Sequence, residues 1–323
     1  MRIAIVGAGA IGGWIGVRLA LAGHEVSVLA RGATLDAIRT NGWTLRTGKD
    51  SLVAAVAASD DTAKLGQQDL VLLTLKGPAL PAVAPTLLPL IGPQTVVLPA
   101  MNGVPWWFML RQATPMGLRS VDPDARIEAA IPYDSVIGSV VHASASTTAP
   151  GMVTHKAGNG LILGEPDGAV SPRLDTIADL FDQAGFDVTR STAIRRDIWY
   201  KLWGNLTMNP ISALTGATCD RILDDPLVRG FVLACMAEAQ AIGNRIGCKI
   251  DESGEDRILV TRKLGAFKTS MLQDAEAGRP LEIDQLLSAP REIAQGLGIN
   301  TPNLDALLGL TRQFAVSNGL NRT

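Results

Sequence analysis

The sequence predicts a doubly wound parallel α/β sheet followed by a second, all-α domain. Three observations predict it. An apolar run, Ile3 to Val6, ends on three glycines, Gly7, Gly9 and Gly12, spaced G-x-G-x-x-G, and a helical pattern follows at once. Short, nearly continuous apolar runs then recur through the first half, as strands covered on both faces by helices require. Beyond residue 190 the strand signals stop and long helical patterns take over. A chain of 323 residues exceeds what one core supports well, so two domains are expected, at 1–190 and 191–323.

Taken in order, Ile3–Val6 reads as a strand, Ile11–Ala22 as a helix stopped by Gly23, and Glu25–Leu29 as a second strand. Asp69–Leu75 and Thr95–Leu98 are further buried strands, and the β-α-β order makes the sheet parallel. Ile137–His142 and Gly151–Leu163 read as strands, with Gly158-Asn159-Gly160 as a hairpin-type turn signal. Residues 106–121 are irregular, rich in Met, Gly and Pro, and read as a surface excursion. In the second half, Asp197–Leu214, Pro226–Ile246, Glu255–Ala277 and Ile283–Leu297 read as helices.

Composition narrows the classes. Hydrophobic residues make up 47% and charged residues 19%, which supports a large core and argues against disorder. A net charge of −2 argues against nucleic acid as a partner. Cys219, Cys235 and Cys248 lack C-x-x-C spacing, which fits a reducing cytoplasmic setting and no metal site. No run reaches about 18 apolar residues, so no membrane span is expected. The apolar N-terminus reads as a fold-initiating strand, not a signal peptide.

The segment Gly7-Ala8-Gly9-Ala10-Ile11-Gly12 is placed to bind a dinucleotide. Gly7 makes the tight turn, Gly9 admits a pyrophosphate, Gly12 lets helix and sheet approach, and the helix N-terminus offers unpaired N–H groups. The expected architecture is therefore a Rossmann-type sheet. Where NAD-binding sheets carry a carboxylate, the second strand here ends in Ala30-Arg31. Arg31 suits a 2′-phosphate, which favours NADP(H) over NAD, although a solvated arginine would look the same. Lys76 and Asn102 follow later strands at the rim where ligands of such sheets bind.

Lys201, Asn205 and Asn209 are spaced four apart on a strongly apolar helix and so form one polar stripe. Either an interdomain cleft lined with ligand satisfies them, or they are a structural lysine–carboxylate pair with two capping amides. Ser270 and Asp274 share a helical face, Gly278 and Pro280 end that helix, and Glu282 and Asp284 open the next. Acidic residues there also suit the helix dipole alone.

These motifs, in this order and over essentially the whole chain, resemble the ketopantoate reductase family (2-dehydropantoate 2-reductases). The resemblance implies NADPH-dependent reduction of a 2-oxo acid to a 2-hydroxy acid, with 2-dehydropantoate giving (R)-pantoate for pantothenate and coenzyme A biosynthesis. It implies Lys201 as the general acid and Glu282 as a residue that tunes the site and contacts the cofactor ribose. It implies Asn205, Asn209 and Ser270 as substrate ligands, and Asn102 near both cofactor and substrate. A homodimer is compatible with it. The sequence departs from the family pattern at Ala79 (often glutamine), Ser144 (alanine), Cys219 (often a substrate-binding asparagine) and Trp106-Trp107. These departures bear on the substrate more than on the reaction. A dehydrogenase for another branched or aromatic 2-hydroxy acid is one alternative. A non-catalytic NADP-binding regulator is another, against which Lys201 and Glu282 weigh, since a sensor needs no proton donor.

Overall fold

In the computed structural model of the chain, residues 1–263 and 265–321 are described. Leu264, Arg322 and Thr323, which fall within the expected helix over 255–277 or the expected domain over 191–323, lie outside the described residues. The chain forms two compact units, Met1–Met101 with Ala125–Ile194, and Asn102–Asp124 with Arg195–Thr323. The expected division into 1–190 and 191–323 differs from this at one insertion, because Asn102–Asp124 belongs to the second unit. The reason is packing. Trp106, Trp107, Phe108 and Met109 are all buried, Phe108 stacks on Trp199 with ring centroids 5.9 Å apart, and Arg195 Nε donates to the Phe108 carbonyl at 2.9 Å. The start of the stretch expected as a surface excursion, residues 106–109, is therefore part of a core, while residues 111–117 are largely exposed.

The first unit runs β1 (Arg2–Val6), α1 (Ala10–Leu21), β2 (Glu25–Leu29), α2 (Gly32–Asn41), β3 (Trp43–Thr47), β4 (Asp50–Ala54), β5 (Ala57–Ser59), β6 (Leu70–Leu73), α3 (Leu80–Val83), β7 (Val96–Pro99), α4 (Arg126–Ala130), β8 (Gly138–Ala149), β9 (Met152–Gly164), α5 (Pro172–Gln183) and β10 (Asp187–Arg190). Its main sheet has the order β5-β2-β1-β6-β7, and every pair is parallel. This is the doubly wound arrangement the apolar runs predict. β1 and β6 are fully apolar and buried apart from Arg2 because helices or a second sheet cover both faces.

A second sheet has the order β10-β9-β3-β4 with β8 on β9; its strands β8 and β9 are those expected at 137–142 and 151–163, while β3, β4 and β10 were not expected, and the sheet explains the glycines of α1. A Cβ at Gly13 would lie 2.5 Å from Val153 Cγ2, and one at Gly16 would lie 2.4 Å from Trp43 Cζ3. Helix α1 is thus pressed between the sheets, with Ile5 of β1 on one side and Trp43 and Val153 on the other. The expected turn at 158–160 is absent: β9 runs straight through and the chain turns at Gly151 instead. Gly158, at φ 75°, sits opposite a register shift in β8, where a Cβ would meet the His142 carbonyl at 2.3 Å. Those glycines make a bulge rather than a turn.

The second unit is helical: α6 (Ile194–Thr215), α7 (Cys219–Asp224), α8 (Pro226–Arg245), α9 (Gly254–Arg262), α10 (Ser270–Glu276), a π-helical turn Asp284–Ser288, α11 (Ala289–Gly296) and α12 (Pro302–Ser317). The single helix expected over 255–277 is two. α9 gives way near Gly265, whose φ is 62°, and the Thr269 side chain caps the start of α10 by accepting from the Leu272 N–H at 3.2 Å. Among the described residues, no helix is long and apolar enough to cross a membrane.

Candidate active site

In the first unit, the glycine loop links β1 to α1 as its spacing predicts. Gly7 has φ 109°, and a Cβ there would lie 2.9 Å from the Leu75 amide nitrogen. A Cβ on Gly12 would lie 2.1 Å from the Gly7 carbonyl. Any larger residue at either position pushes the loop off β6. The Thr74 hydroxyl donates to the Gly7 carbonyl at 2.7 Å, a tie the sequence did not announce. Gly9, the N-cap of α1, has nothing within 4 Å of where its Cβ would stand. The loop is rigid where it meets protein and open at Gly9, which is the shape a pyrophosphate over a helix N-terminus requires. Ala8, Ala10 and Ile11 lie within this loop and first turn. Arg31 lies two residues past the end of β2, is the N-cap of α2, and is exposed. Lys76 is exposed in the loop that follows β6.

In the second unit, Lys201 lies on α6, and its ammonium donates to Asn102 Oδ1 at 2.9 Å. Asn102 is set by its own neighbours. Gly103 has φ 78°, a Cβ there would lie 2.4 Å from the Gln285 carbonyl, and that same carbonyl accepts the Val104 N–H at 2.9 Å. The π-helical turn therefore fixes the Asn102 loop from one end. Glu292 of α11 holds its other end, accepting from the Arg119 N–H at 2.8 Å, the Ser120 N–H at 2.9 Å and the Ser120 hydroxyl at 2.6 Å. Nothing in the sequence marked Gln285, Glu292 or Arg195 as supports, because each acts across more than eighty residues.

Burial pushes the Lys201 pKa down to about 8, and the carboxylate of Glu282, only 6% exposed, pulls the other way. Near neutral pH the group is mostly protonated and within about a unit of releasing its proton, the range in which a general acid works well. Asn205 and Asn209 continue the stripe along α6. Asn209 is 5% exposed, and among the described residues neither amide, nor the Ser270 hydroxyl, makes a side-chain hydrogen bond. Asn205 is half-buried, and a capping role for the two amides would show as bonds to backbone groups. Asp274, by contrast, is engaged by Arg279 Nε at 3.0 Å, and Asp284 Oδ1 accepts the Ser288 hydroxyl at 2.9 Å.

Comparisons with known proteins agree with these features. Residues 3–168 match the family model "Ketopantoate reductase PanE/ApbA", and residues 193–315 match its C-terminal counterpart. The chain is 42% identical to a 2-dehydropantoate 2-reductase of Mesorhizobium japonicum, over 99% of each chain. Among solved structures, a provisionally named ketopantoate reductase from Ralstonia solanacearum MolK2 is 56% identical with a TM-score of 0.96, covering 99% of both chains. The 2-dehydropantoate 2-reductase from Methylococcus capsulatus is 28% identical with a TM-score of 0.85, again over 99% of both.

Proposed function

Because the chain belongs to the ketopantoate reductase family of NAD(P)-dependent oxidoreductases acting on CH–OH groups, we propose that it reduces a 2-oxo acid to a 2-hydroxy acid with NADPH, Lys201 acting as the general acid. The relatives' activity makes 2-dehydropantoate, reduced to (R)-pantoate for pantothenate synthesis in the cytoplasm, the reference substrate. The observation that carries the reading is the Lys201 ammonium: held by Asn102 Oδ1, balanced by the buried Glu282 carboxylate, its pKa lowered to about 8, on a face whose next two amides make no side-chain hydrogen bond among the described residues.

When bound, the dinucleotide supplies a hydride to the carbonyl carbon. Gly7, Gly9 and Gly12 would hold its pyrophosphate on the α1 N-terminus, with Arg31 taking the 2′-phosphate and Lys76 and Asn102 assisting. Glu282 would take a ribose hydroxyl while holding Lys201 in its charged form. As negative charge grows on the substrate oxygen, the Lys201 ammonium stabilises it and gives up a proton. Asn205, Asn209 and Ser270 would orient the carboxylate, so that binding energy is spent on alignment.

Arg31 gives the test of the cofactor assignment. Arg31→Ala is expected to raise KM for NADPH by about tenfold to a hundredfold, as loss of a charge-assisted contact does, while leaving KM for NADH nearly unchanged. Equal effects on both cofactors would remove Arg31 from the 2′-phosphate site.

A further inference from the structure

Residues 281–288 bear on Lys201 in two ways. Glu282 supplies the charge that opposes its desolvation. The Gln285 carbonyl accepts the Val104 N–H at 2.9 Å and so holds the loop of Asn102, whose Oδ1 accepts from the Lys201 ammonium at 2.9 Å. Whatever holds this segment is therefore part of how Lys201 is held. Both of its ends are tied to one place, α12 and the short segment after it.

Helix α12 ends in a Schellman turn. Gly319 adopts φ 65°, its N–H donates to the Val316 carbonyl at 3.1 Å, and the Leu320 N–H donates to the Ala315 carbonyl at 2.8 Å. The Leu320 side chain is buried, the apolar anchor that commonly accompanies such a turn. Turn and anchor set the position of Asn321. Its Oδ1 accepts the Leu281 N–H at 2.9 Å, and its Nδ2 donates to the Leu281 carbonyl at 3.2 Å. One side-chain amide thus brackets a fully buried residue with the paired bonds that two strands exchange. The Leu281 carbonyl belongs to the planar peptide that leads into Glu282, so the bracket sets the plane from which Glu282 departs. At the far end of the segment, Arg312 of α12 donates to the Ser288 hydroxyl at 3.1 Å, and that hydroxyl donates to Asp284 Oδ1 at 2.9 Å.

From this two-bond bracket, and from the turn that aims it, we propose that Asn321 is a positioning residue for Glu282 and, through Glu282, for the ammonium of Lys201. Its bearing on catalysis rests on the reading of Lys201 as the general acid. Asn321 is neutral, so its removal changes no charge and acts only on how firmly the Glu282 carboxylate is placed. Asn102, the hydrogen-bond partner of Lys201, is neutral as well. The charged groups that flank Glu282 are engaged elsewhere, Arg279 with Asp274 and both Arg312 and Asp284 with Ser288. Asp197, one turn before Lys201 on α6, is left in place by the variants below. Since Glu282 is the charge that raises the Lys201 pKa against desolvation, loosening Glu282 lets that pKa fall.

The experiment titrates Lys201 directly in the full-length protein, by NMR of carbon-labelled lysine Cε, the signal being assigned by its loss in Lys201→Ala. Asn321→Ala keeps the Gly319 turn and the Leu320 anchor, and so keeps the fold. It is expected to lower the Lys201 midpoint by roughly half a pH unit, in the same direction as Glu282→Gln but less far. In the Glu282→Gln background the same substitution is expected to move the midpoint by less than about 0.2 unit, because the group it acts through is gone. Asn318→Ala is the structural control: it removes a side-chain bond to the Phe314 carbonyl at the same end of α12 and is expected to leave the midpoint in place. An unchanged midpoint in Asn321→Ala, an equal shift in Asn318→Ala, or a shift that persists without Glu282 overturns the inference. If the midpoint moves but the falling limb of kcat/KM for 2-dehydropantoate does not follow it, the general-acid reading is overturned and the bracket on Glu282 is not.

Discussion

At the scale of single residues, the chemistry rests on how one ammonium is held. Desolvation lowers the Lys201 pKa and Glu282 opposes that shift. On the proposed mechanism the protonated lysine is the active form, so kcat/KM for reduction falls as pH rises through about 8. Replacing Glu282 with glutamine removes the opposing charge, the lysine loses its proton more readily, and the falling limb moves to lower pH by roughly one unit. A pH–rate profile measures this, and a limb that stays in place or moves upward would show that Glu282 does not act on Lys201. The sign for stability follows from the same shift. With its pKa lower in the folded chain than in the unfolded one, Lys201 costs stability below pH 8, and that cost is relieved as pH rises toward the unfolded value. The four-residue spacing of Lys201, Asn205 and Asn209 was legible as one helical face. The bond from Lys201 to Asn102 was not, because the sequence gives no measure of which of two distant polar residues meet.

At the scale of elements, glycine positions record close approaches. In α1, Gly16 faces the buried ring of Trp43. Gly16→Ala gains about 1 kcal/mol of helix propensity but forces a methyl to within 2.4 Å of Trp43 Cζ3. A rigid ring that is fully buried cannot yield cheaply, and overpacking costs about 1–3 kcal/mol. The expected net effect is a loss of stability of up to about 2 kcal/mol, read from urea unfolding midpoints; a gain would mean that the second sheet is not packed on α1 as described. Strands β1, β2, β6 and β7 of the main sheet were legible because burial on both faces writes them as nearly continuous apolar runs, whereas the three-residue edge strand β5 was not. β3 and β4 were not: Trp43-Thr44-Leu45-Arg46-Thr47 and Asp50–Ala54 mix exposed polar residues with buried ones, and their short hairpin resembles a loop. Gly158-Asn159-Gly160 was misread for a related reason, since turns and bulges both select glycine.

At the scale of the whole molecule, the chain leaves the first unit after Met101, builds Asn102–Asp124 into the second, and returns at Ala125. Sequence reasoning places domain boundaries by changes in pattern, and a 23-residue excursion that buries two tryptophans in another unit carries no such change until its contacts are known. Glu292 ties that excursion to α11 through three hydrogen bonds. Glu292→Ala leaves two backbone N–H groups and a hydroxyl without their acceptor, an expected loss of about 1–3 kcal/mol, visible as a lower thermal midpoint and as earlier proteolysis within residues 102–124. Cleavage elsewhere first would place the weak point outside this segment.

The central claim is that Lys201 donates the proton in reduction of a 2-oxo acid. Its most direct measurement is the steady-state oxidation of NADPH by wild-type protein and Lys201→Ala across pH 6 to 10, with 2-dehydropantoate as substrate. The predicted result is a fall in kcat of about 10²–10⁴ in the variant, together with loss of the wild-type limb near pH 8. Unchanged turnover in Lys201→Ala, or a limb near pH 8 that survives the substitution, would contradict the assignment.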